Sequence, residues 1–297
     1  MPSRWELLPP LSSWDTATST RPRCTATRQR WEPGCVKWPA EAVEVAIAKA
    51  LASGMAWVGV QNGNHAGAGG VYPAMALAHD LIGLYLALGN ANIMPPWNGL
   101  DPLLGTNPFT IAIPAGEEPA IQLDIATTTT SHGTIKVMAL EGGTIPEGWV
   151  VDREGNPITD PAKAGDGFMI PIGGHKGFGL NMVIGLLAGT LNGAAFGEDV
   201  IDHRVDWSTP TNSGQAFFAM RPDLFRDLDD FKADMDRQIR TFLASAPMPG
   251  KTIRLPGHNA ARLEEENRRL GVPLKAALYA DLQALAEELR LDDRLAD

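Results

Sequence analysis

The sequence predicts an α/β protein with a layered mixed sheet and a mostly helical C-terminal part. Between residues 40 and 125, short apolar runs alternate with stretches of helical periodicity. Some runs are separated by turns of hairpin length and others by helices, which is typical of a layered α/β domain and not of a purely parallel sheet. After Gly177 amphipathic helical periodicity dominates. With 297 residues and 44% apolar residues, the chain can bury a substantial core.

The first half of the chain carries the strands. Apolar residues recur at helical spacing over positions 43–51, and Gly54 stands where a helix C-terminal cap belongs, so a helix precedes the strand-like run at 55–60. A short helix around 73–79 leads to an apolar run at 81–88 that reads as a buried strand. Two further strands are predicted at 109–113 and 120–125, joined by a turn containing two prolines and a glycine.

The second half carries the helices. The weakly polar run 177–196 has nearly the length of a membrane span, but it contains Asn181, Asn192 and several glycines. We therefore expect a helix buried on all sides, in which Gly185 and Gly189 allow close packing. Amphipathic periodicity predicts further helices at 222–243 and 274–289, and a charged solvent-exposed helix at 262–269.

The first 39 residues differ from the rest. They hold both cysteines, four of the eight tryptophans, six basic and three acidic residues, and no sustained period. We expect this segment to be poorly ordered. The predicted organisation is therefore an atypical segment at 1–39, an α/β cofactor and substrate domain at 40–175, and a mainly helical part at 176–297 that packs on it.

Charge and composition exclude several function classes. The net charge of −10 argues against a nucleic-acid partner, because phosphate contacts require clustered lysine and arginine. No spacing of histidines and carboxylates suggests a metal site, and Cys24 and Cys35 do not make a disulfide framework. Without a secretory signal pattern or a predicted membrane helix, the cytoplasm is the default location.

Three residues stand out as candidates for chemistry. His65 lies in the glycine-rich segment 63–70 directly after a strand, where it would suit either proton transfer or a tight turn with a hydrogen-bonded histidine. Asp124 ends an apolar strand, where it could orient an imidazole, bind a ribose hydroxyl or cap the following helix. Lys176 lies between glycines at a helix start and could bind an anion; the alternative is a solvent-exposed loop lysine.

Five segments together resemble a known family. They are Gly-Asn-His-Ala-Gly at 63–67, Gly-Thr-Asn-Pro at 105–108, Asp-Ile-Ala-Thr at 124–127, Gly-His-Lys-Gly at 174–177 and Pro-Gly-His at 256–258. In order and spacing they resemble the malate/L-lactate dehydrogenase family that includes ureidoglycolate dehydrogenase and Δ1-piperideine-2-carboxylate reductase. No G-x-G-x-x-G follows a first strand, so a Rossmann fold is not indicated. The resemblance implies a non-Rossmann nicotinamide-binding fold built from separated loops.

The resemblance also implies a reaction and a set of site residues. The reaction is NAD- or NADP-dependent interconversion of a small 2-hydroxy acid and its 2-oxo acid, in a homodimer. His65 and Asp124 would be catalytic, with His65 transferring the proton and Asp124 acting in a charge relay or on the cofactor. Thr106 and Lys176 would bind the substrate. The implied cofactor contacts are His65, Gly67, Asp124, Ile125, Ala126, Lys176, Gly177, Pro256, Gly257 and His258.

A departure from the family pattern leaves alternatives open. Related proteins carry an earlier Ser-His-Gly segment that helps to hold the substrate carboxylate, and we find no equivalent here. Ser131-His132-Gly133 has the same spelling but the wrong position, so we interpret it as a helix start. We therefore expect weakened activity on 2-oxo acids. A catalytically silent nucleotide-binding homologue and a cyclic ketimine reductase are the alternatives.

Overall fold

The computed structural model describes residues 39–289, apart from the side chain at position 277. The predicted atypical segment and its two cysteines lie outside the described residues, except for Pro39.

The centre of the fold is a five-stranded sheet with the order β1-β7-β2-β3-β4. Its strands are β1 (Met55–Gly63), β2 (Ile82–Ala87), β3 (Phe109–Ile113), β4 (Ile121–Ile125) and β7 (Ser213–Met220). The predicted α/β class is confirmed, but every pairing in this sheet is antiparallel, where the sequence predicted a mixed sheet. The reason is that β7 lies between β1 and β2 and separates the two strands that the short helix connects.

Helices cover both faces of the sheet. On one face, α1 (Pro39–Ser53) and α2 (Val71–Leu77) pack over a core that includes Tyr72, Tyr85 and Phe217. On the other face, α4 (His175–Ala188) contributes Ile184 and Ala188 to a core with alternate residues of β2 and β7. Since both faces are buried, the central strands are apolar along their length, which explains the continuous apolar run of β2.

The chain between β4 and α4 forms a smaller layer. It contains α3 (His132–Leu140) and the two-stranded pair β5 (Val150–Val151) and β6 (Phe168–Met169), packed around buried Met94, Ile135 and Ile145. The predicted helix start at 131–133 is confirmed. The Ser131 side chain caps α3 by accepting a hydrogen bond from the backbone N–H of Thr134 at 3.1 Å.

Helix α4 is only partly buried, which corrects the expectation of a helix buried on all sides. Leu180, Met182, Val183 and Leu186 are each between 38% and 48% exposed. Small residues form the inward side because the neighbouring chain comes close: a Cβ at Gly185 would lie 2.2 Å from the Phe196 ring. Within residues 39–289, no helix is both long enough and apolar enough to cross a membrane.

The C-terminal part is not purely helical, because β7 belongs to it and lies inside the sheet. This strand was not predicted from the sequence, because its residues are buried on both faces and therefore lack a period of two. The helices that follow are α5 (Leu228–Leu243), α6 (His258–Leu270) and α7 (Ala276–Glu288). Helix α5 begins later than predicted, because the Asp227 side chain accepts hydrogen bonds from the N–H groups of Asp229 and Asp230.

Candidate functional site

His65 lies in an ordered loop that leaves β1. Its backbone N–H donates to Asn64 Oδ1 at 2.7 Å, and its ring Nδ1 accepts from the N–H of Gly67 at 3.0 Å. Gly67 has φ +76°, a conformation that glycine adopts without strain. With Nδ1 accepting, a neutral imidazole carries its proton on Nε2, and the residue is exposed. The hydrogen-bonded turn is therefore present, and Nε2 is the ring nitrogen that has no partner among the described residues.

The sheet fixes the position of this loop. Gln215 on β7 donates from Nε2 to the Asn64 carbonyl at 2.9 Å, and Tyr72 on α2 donates its hydroxyl to the Ala66 carbonyl at 2.5 Å. The Tyr85 ring packs against the Tyr72 ring at an angle of 47°, with 5.0 Å between ring centroids. Burial, and then the neighbouring Tyr72 and Asp124, raise the pKa of Tyr85 above its ordinary value. Gln215 and Tyr72 were not predicted from the sequence, because their roles depend on contacts between distant segments.

Asp124 lies on β4 against the same glycine-rich loop. Its Oδ2 accepts from the N–H of Gly70 at 2.9 Å, and a Cβ at Gly70 would lie 2.9 Å from the same oxygen. The helix-cap alternative for Asp124 is wrong, since Asp124 is within the strand and Ser131 caps α3. Among the described residues, no hydrogen bond joins Asp124 to the His65 ring. The carboxylate thus holds the loop through Gly70.

Lys176 lies in the first turn of α4. The N-cap is Gly174 with φ +65°, which supplies no side-chain cap, so the first N–H groups of the helix have no side-chain acceptor. Lys176 is exposed and has no ion-pair partner within the described part of the chain. A Cβ at Gly177 would lie 1.8 Å from the Ile172 carbonyl oxygen, so only glycine fits there. A cation beside an uncapped helix N-terminus is an arrangement that binds anions.

The segment 105–108 presents one of its two polar side chains outward. Thr106 is partly exposed, whereas Asn107 is fully buried and faces the helix α4. The Thr106 carbonyl accepts from the N–H of Thr127 at 2.9 Å. This hydrogen bond connects the segment to the end of β4, where Ile125 and Ala126 lie. Of these two side chains, only that of Thr106 therefore reaches the surface.

Pro256, Gly257 and His258 pack on the same strand as Asp124. The Pro256 carbonyl accepts from the N–H of Gln122 at 3.2 Å, and Gly257 has φ +86°. A Cβ at Gly257 would lie 2.8 Å from the Gln122 side chain, so the close approach requires glycine. His258 begins α6, and its Nε2 is buried without a hydrogen-bond partner.

The predicted residues thus form two groups, which are connected through Gly89 and Asn90. One group joins His65 and Gly67 to Asp124, with 256–258 beside it on β4. The other joins Thr106 to the start of α4 and the end of β4. Asn90 Nδ2 donates to Asn64 Oδ1 at 3.3 Å, while the N–H of Gly89 donates to Asn107 Oδ1 at 2.9 Å. The segment 89–90 therefore contacts both groups.

A separate cavity of about 240 Å³ lies beside α3 and contains none of the predicted site residues. Arg153, Arg204 and His132 line it, and Arg204 Nη1 lies 2.7 Å from His132 Nε2. Burial, and then the charge of Arg204, lower the pKa of His132. No group of three or more metal-ligating side chains occurs in the region 39–289.

Comparison with known proteins gives this geometry a context. The sequence profile of the malate/L-lactate dehydrogenases matches residues 33–283. This chain belongs to the malate/L-lactate dehydrogenase family. It is 34% identical over 250 residues to malate/(S)-sulfolactate dehydrogenase of Methanothermus fervidus, covering 84% of this chain and 72% of that protein.

Two further relatives differ in their named activities. Ureidoglycolate dehydrogenase (NAD(+)) of Escherichia coli O157:H7 is 31% identical over 80% of this chain and 67% of its own length. Delta(1)-pyrroline-2-carboxylate reductase of Ancylobacter novellus is 36% identical over 64% of this chain and 55% of its own length.

Solved structures share the fold. The sulfolactate dehydrogenase of Methanocaldococcus jannaschii superposes with a TM-score of 0.74 at 33% identity, over 86% of this chain and 72% of that one. The malate dehydrogenase of Entamoeba histolytica superposes with a TM-score of 0.81 at 27% identity, over 86% and 74%. The resemblance identified from five short segments is thereby confirmed.

Family membership gives the cofactor class as NAD(P), and the site suits it. A dinucleotide carries a diphosphate, and the uncapped N-terminus of α4 beside Lys176 offers backbone N–H groups and a positive charge. The glycines at 69 and 70 admit a close approach to β4 at Asp124, because a side chain there would meet its carboxylate. These residues fit a nicotinamide dinucleotide.

Proposed function

We propose that this protein interconverts a small 2-hydroxy acid and its 2-oxo acid with NAD or NADP, using His65 as the proton donor and acceptor. The observation that carries the proposal is the state of the His65 ring. Nδ1 is occupied by the N–H of Gly67, and Nε2 has no hydrogen-bond partner among the described residues. The Gly67 contact therefore sets the position of the resting ring, and Nε2 is the nitrogen left open to a substrate.

The proposed role of each residue follows from the group to which it belongs. A bound NAD(P) supplies or accepts the hydride at the substrate carbon. In reduction His65, as the imidazolium, gives its Nε2 proton to the oxygen that develops negative charge and becomes neutral imidazole. In oxidation the neutral imidazole takes the hydroxyl proton at Nε2. The ring keeps a proton on Nδ1 in both forms, so the contact of Nδ1 with the Gly67 N–H is released for the reaction. Asp124 holds the glycine-rich loop and contacts the cofactor, together with Ile125, Ala126 and residues 256–258. Thr106 and Lys176 bind the acid, and Lys176 with Gly177 also contacts the cofactor.

Two alternatives stand beside this proposal. The similarity to a Delta(1)-pyrroline-2-carboxylate reductase favours reduction of a cyclic ketimine acid, for which the same histidine would protonate nitrogen. A catalytically silent nucleotide-binding homologue would keep the Lys176 site without turnover. Weakened activity on 2-oxo acids, a homodimer and a cytoplasmic location are further predictions.

Cofactor binding is the first test. Trp97 lies beside the start of α4, with its ring 6.0 Å from that of His175, so tryptophan fluorescence should respond to a ligand there. We expect saturable binding of NADH or NADPH below millimolar concentration. Oxidation of malate, sulfolactate, lactate and ureidoglycolate is then compared with reduction of pyrroline-2-carboxylate. Binding without turnover of any of them would favour the silent homologue, and no binding would refute the proposal.

The role of His65 is tested with a matched pair of variants. We expect His65→Ala to lower kcat by roughly 10²–10⁴-fold, the range for general acid–base catalysis, with cofactor affinity within a few fold. His79→Ala is the control, since His79 is also exposed and its described bond is made by its backbone N–H. Parallel loss of binding and rate in His65→Ala would assign the histidine to cofactor binding instead.

A further inference from the structure

A buried polar cluster lies where three separate segments of the candidate site meet. Asn181 on α4 is fully buried, as are Asn107 and Thr127. Asn107 is next to Thr106, Thr127 follows Ala126, and Asn181 is one turn beyond Lys176 and Gly177. Each of the three buried residues is therefore close in the chain to residues that, in the proposed function, contact the substrate or the cofactor.

The side-chain amide of Asn181 connects the other two segments. Its Nδ2 donates to the Gly105 carbonyl at 2.8 Å and to Thr127 Oγ1 at 2.7 Å, while its Oδ1 accepts from Asn107 Nδ2 at 2.8 Å. The two N–H bonds and the carbonyl oxygen of Asn181 all have partners. Thr127 Oγ1 lies 2.8 Å from the Thr106 carbonyl and can donate to it. All hydrogen-bonding groups of the Asn181 amide therefore have partners. Buried polar groups give a rigid, specific arrangement under this condition.

The cluster also reaches the histidine loop. Asn107 has φ +29°, an uncommon conformation for a residue with a side chain, and this places its Oδ1 against the N–H of Gly89 at 2.9 Å. The next residue, Asn90, bonds Asn64 beside His65. A shift of Asn107 would therefore be transmitted along 89–90 towards the proton donor.

We propose that Asn181 is a positioning residue that holds Thr106, the segment 125–127 and the start of α4 in the mutual arrangement needed to bind cofactor and substrate. This inference rests on the proposed function for what the three segments bind. Asn181 itself is completely buried and touches neither ligand. Its effect is geometric, because misplacing substrate-contacting groups by about an ångström can cost about a hundredfold in rate.

Three variants separate positioning from mere stability. Asn181→Asp keeps the shape and the acceptor for Asn107 but replaces the donor to Gly105 and Thr127 with an oxygen. Asn181→Ala removes both. Asn192→Ala is the matched control: Asn192 follows α4, and its Nδ2 donates to three backbone carbonyls, those of Leu187, Ala188 and Gln215. It contacts none of the three segments.

The measurements are cofactor affinity in folded protein and amide hydrogen exchange without cofactor. At pH 8 we expect both Asn181 variants to weaken NADH or NADPH binding about tenfold, the equivalent of one lost hydrogen bond, and to speed exchange at 105–107 and 126–128. Asn192→Ala should unfold more easily and keep its affinity within twofold. Lowering the pH should partly restore binding by Asn181→Asp, relative to the unmodified chain, because a protonated carboxyl can donate again.

Each outcome decides the inference. If the Asn181 variants lose stability but their cofactor affinity and the exchange rates at both segments stay unchanged, Asn181 is a structural residue and the proposal is overturned. If the unmodified chain binds no nicotinamide cofactor, the proposed function fails. Hydrogen exchange at 105–107 and 126–128 then still shows whether Asn181 holds the segments together.

Discussion

Two glycines in the same helix should respond in opposite ways to the same substitution. Gly177 and Gly179 both lie in the first half of α4, two residues apart. A Cβ at Gly177 would lie 1.8 Å from the Ile172 carbonyl oxygen and 2.9 Å from the Ile172 nitrogen, whereas a Cβ at Gly179 meets nothing within 4 Å. The obstruction at Gly177 is backbone, so no side-chain rotation relieves it.

The cost of Gly177→Ala follows from how Ile172 is held. The Ile172 N–H donates to the Thr127 carbonyl at 3.0 Å, so moving Ile172 by the required ångström or more would disturb the segment after β4 as well. We expect the free energy of unfolding to fall by about 2–3 kcal/mol, in the range for overpacked sites. Gly179→Ala should raise it by about 0.5–1 kcal/mol, because alanine is favoured over glycine within a helix.

Urea unfolding monitored by tryptophan fluorescence gives both free energies, and a titration with NADH or NADPH gives the affinities. Since Gly177 lies beside Lys176, Gly177→Ala should also weaken cofactor binding, and Gly179→Ala should leave it unchanged. Equal stability and equal affinity for the two variants would show that the approach of Ile172 to α4 is not as tight as the structure indicates.

Two further predictions concern carboxylate and histidine environments. Asp236 is buried and accepts hydrogen bonds from the N–H groups of 116–118, which outweigh burial and lower its pKa. Asp236→Ala should cost about 2–4 kcal/mol in chemical unfolding at pH 7, and the exposed Asp234→Ala should cost clearly less. The difference should shrink as the pH falls below about 4, because protonation of the unfolded and then the folded carboxyl removes the charge-assisted part of these hydrogen bonds; an undiminished difference at pH 2–3 would contradict it. For His132, whose pKa burial and Arg204 lower, the unfolded state binds the proton first, so stability declines as the pH falls below about 6.5. His132→Gln should reduce that decline in Tm, and an unchanged pH profile would argue against it.

The sequence was sufficient where a short segment carries its own physical signal. Gly54 terminates α1 in a left-handed conformation as predicted, and Ser131 caps α3, because both effects depend on residues within one helical turn. The glycine-rich loop of His65 and the family itself were also predictable, since their residues are consecutive in the chain.

Tertiary structure decided everything that depends on which distant segments meet. Strand β7 was missed because a strand buried on both faces has no alternation, and its place between β1 and β2 made the sheet antiparallel. The exposed apolar side of α4 was likewise invisible, because burial depends on what packs against a helix. Asp124 could have capped a helix or oriented an imidazole, and only folding showed that it holds Gly70. The same holds for Asn181, whose three hydrogen bonds join positions more than fifty residues apart in the chain.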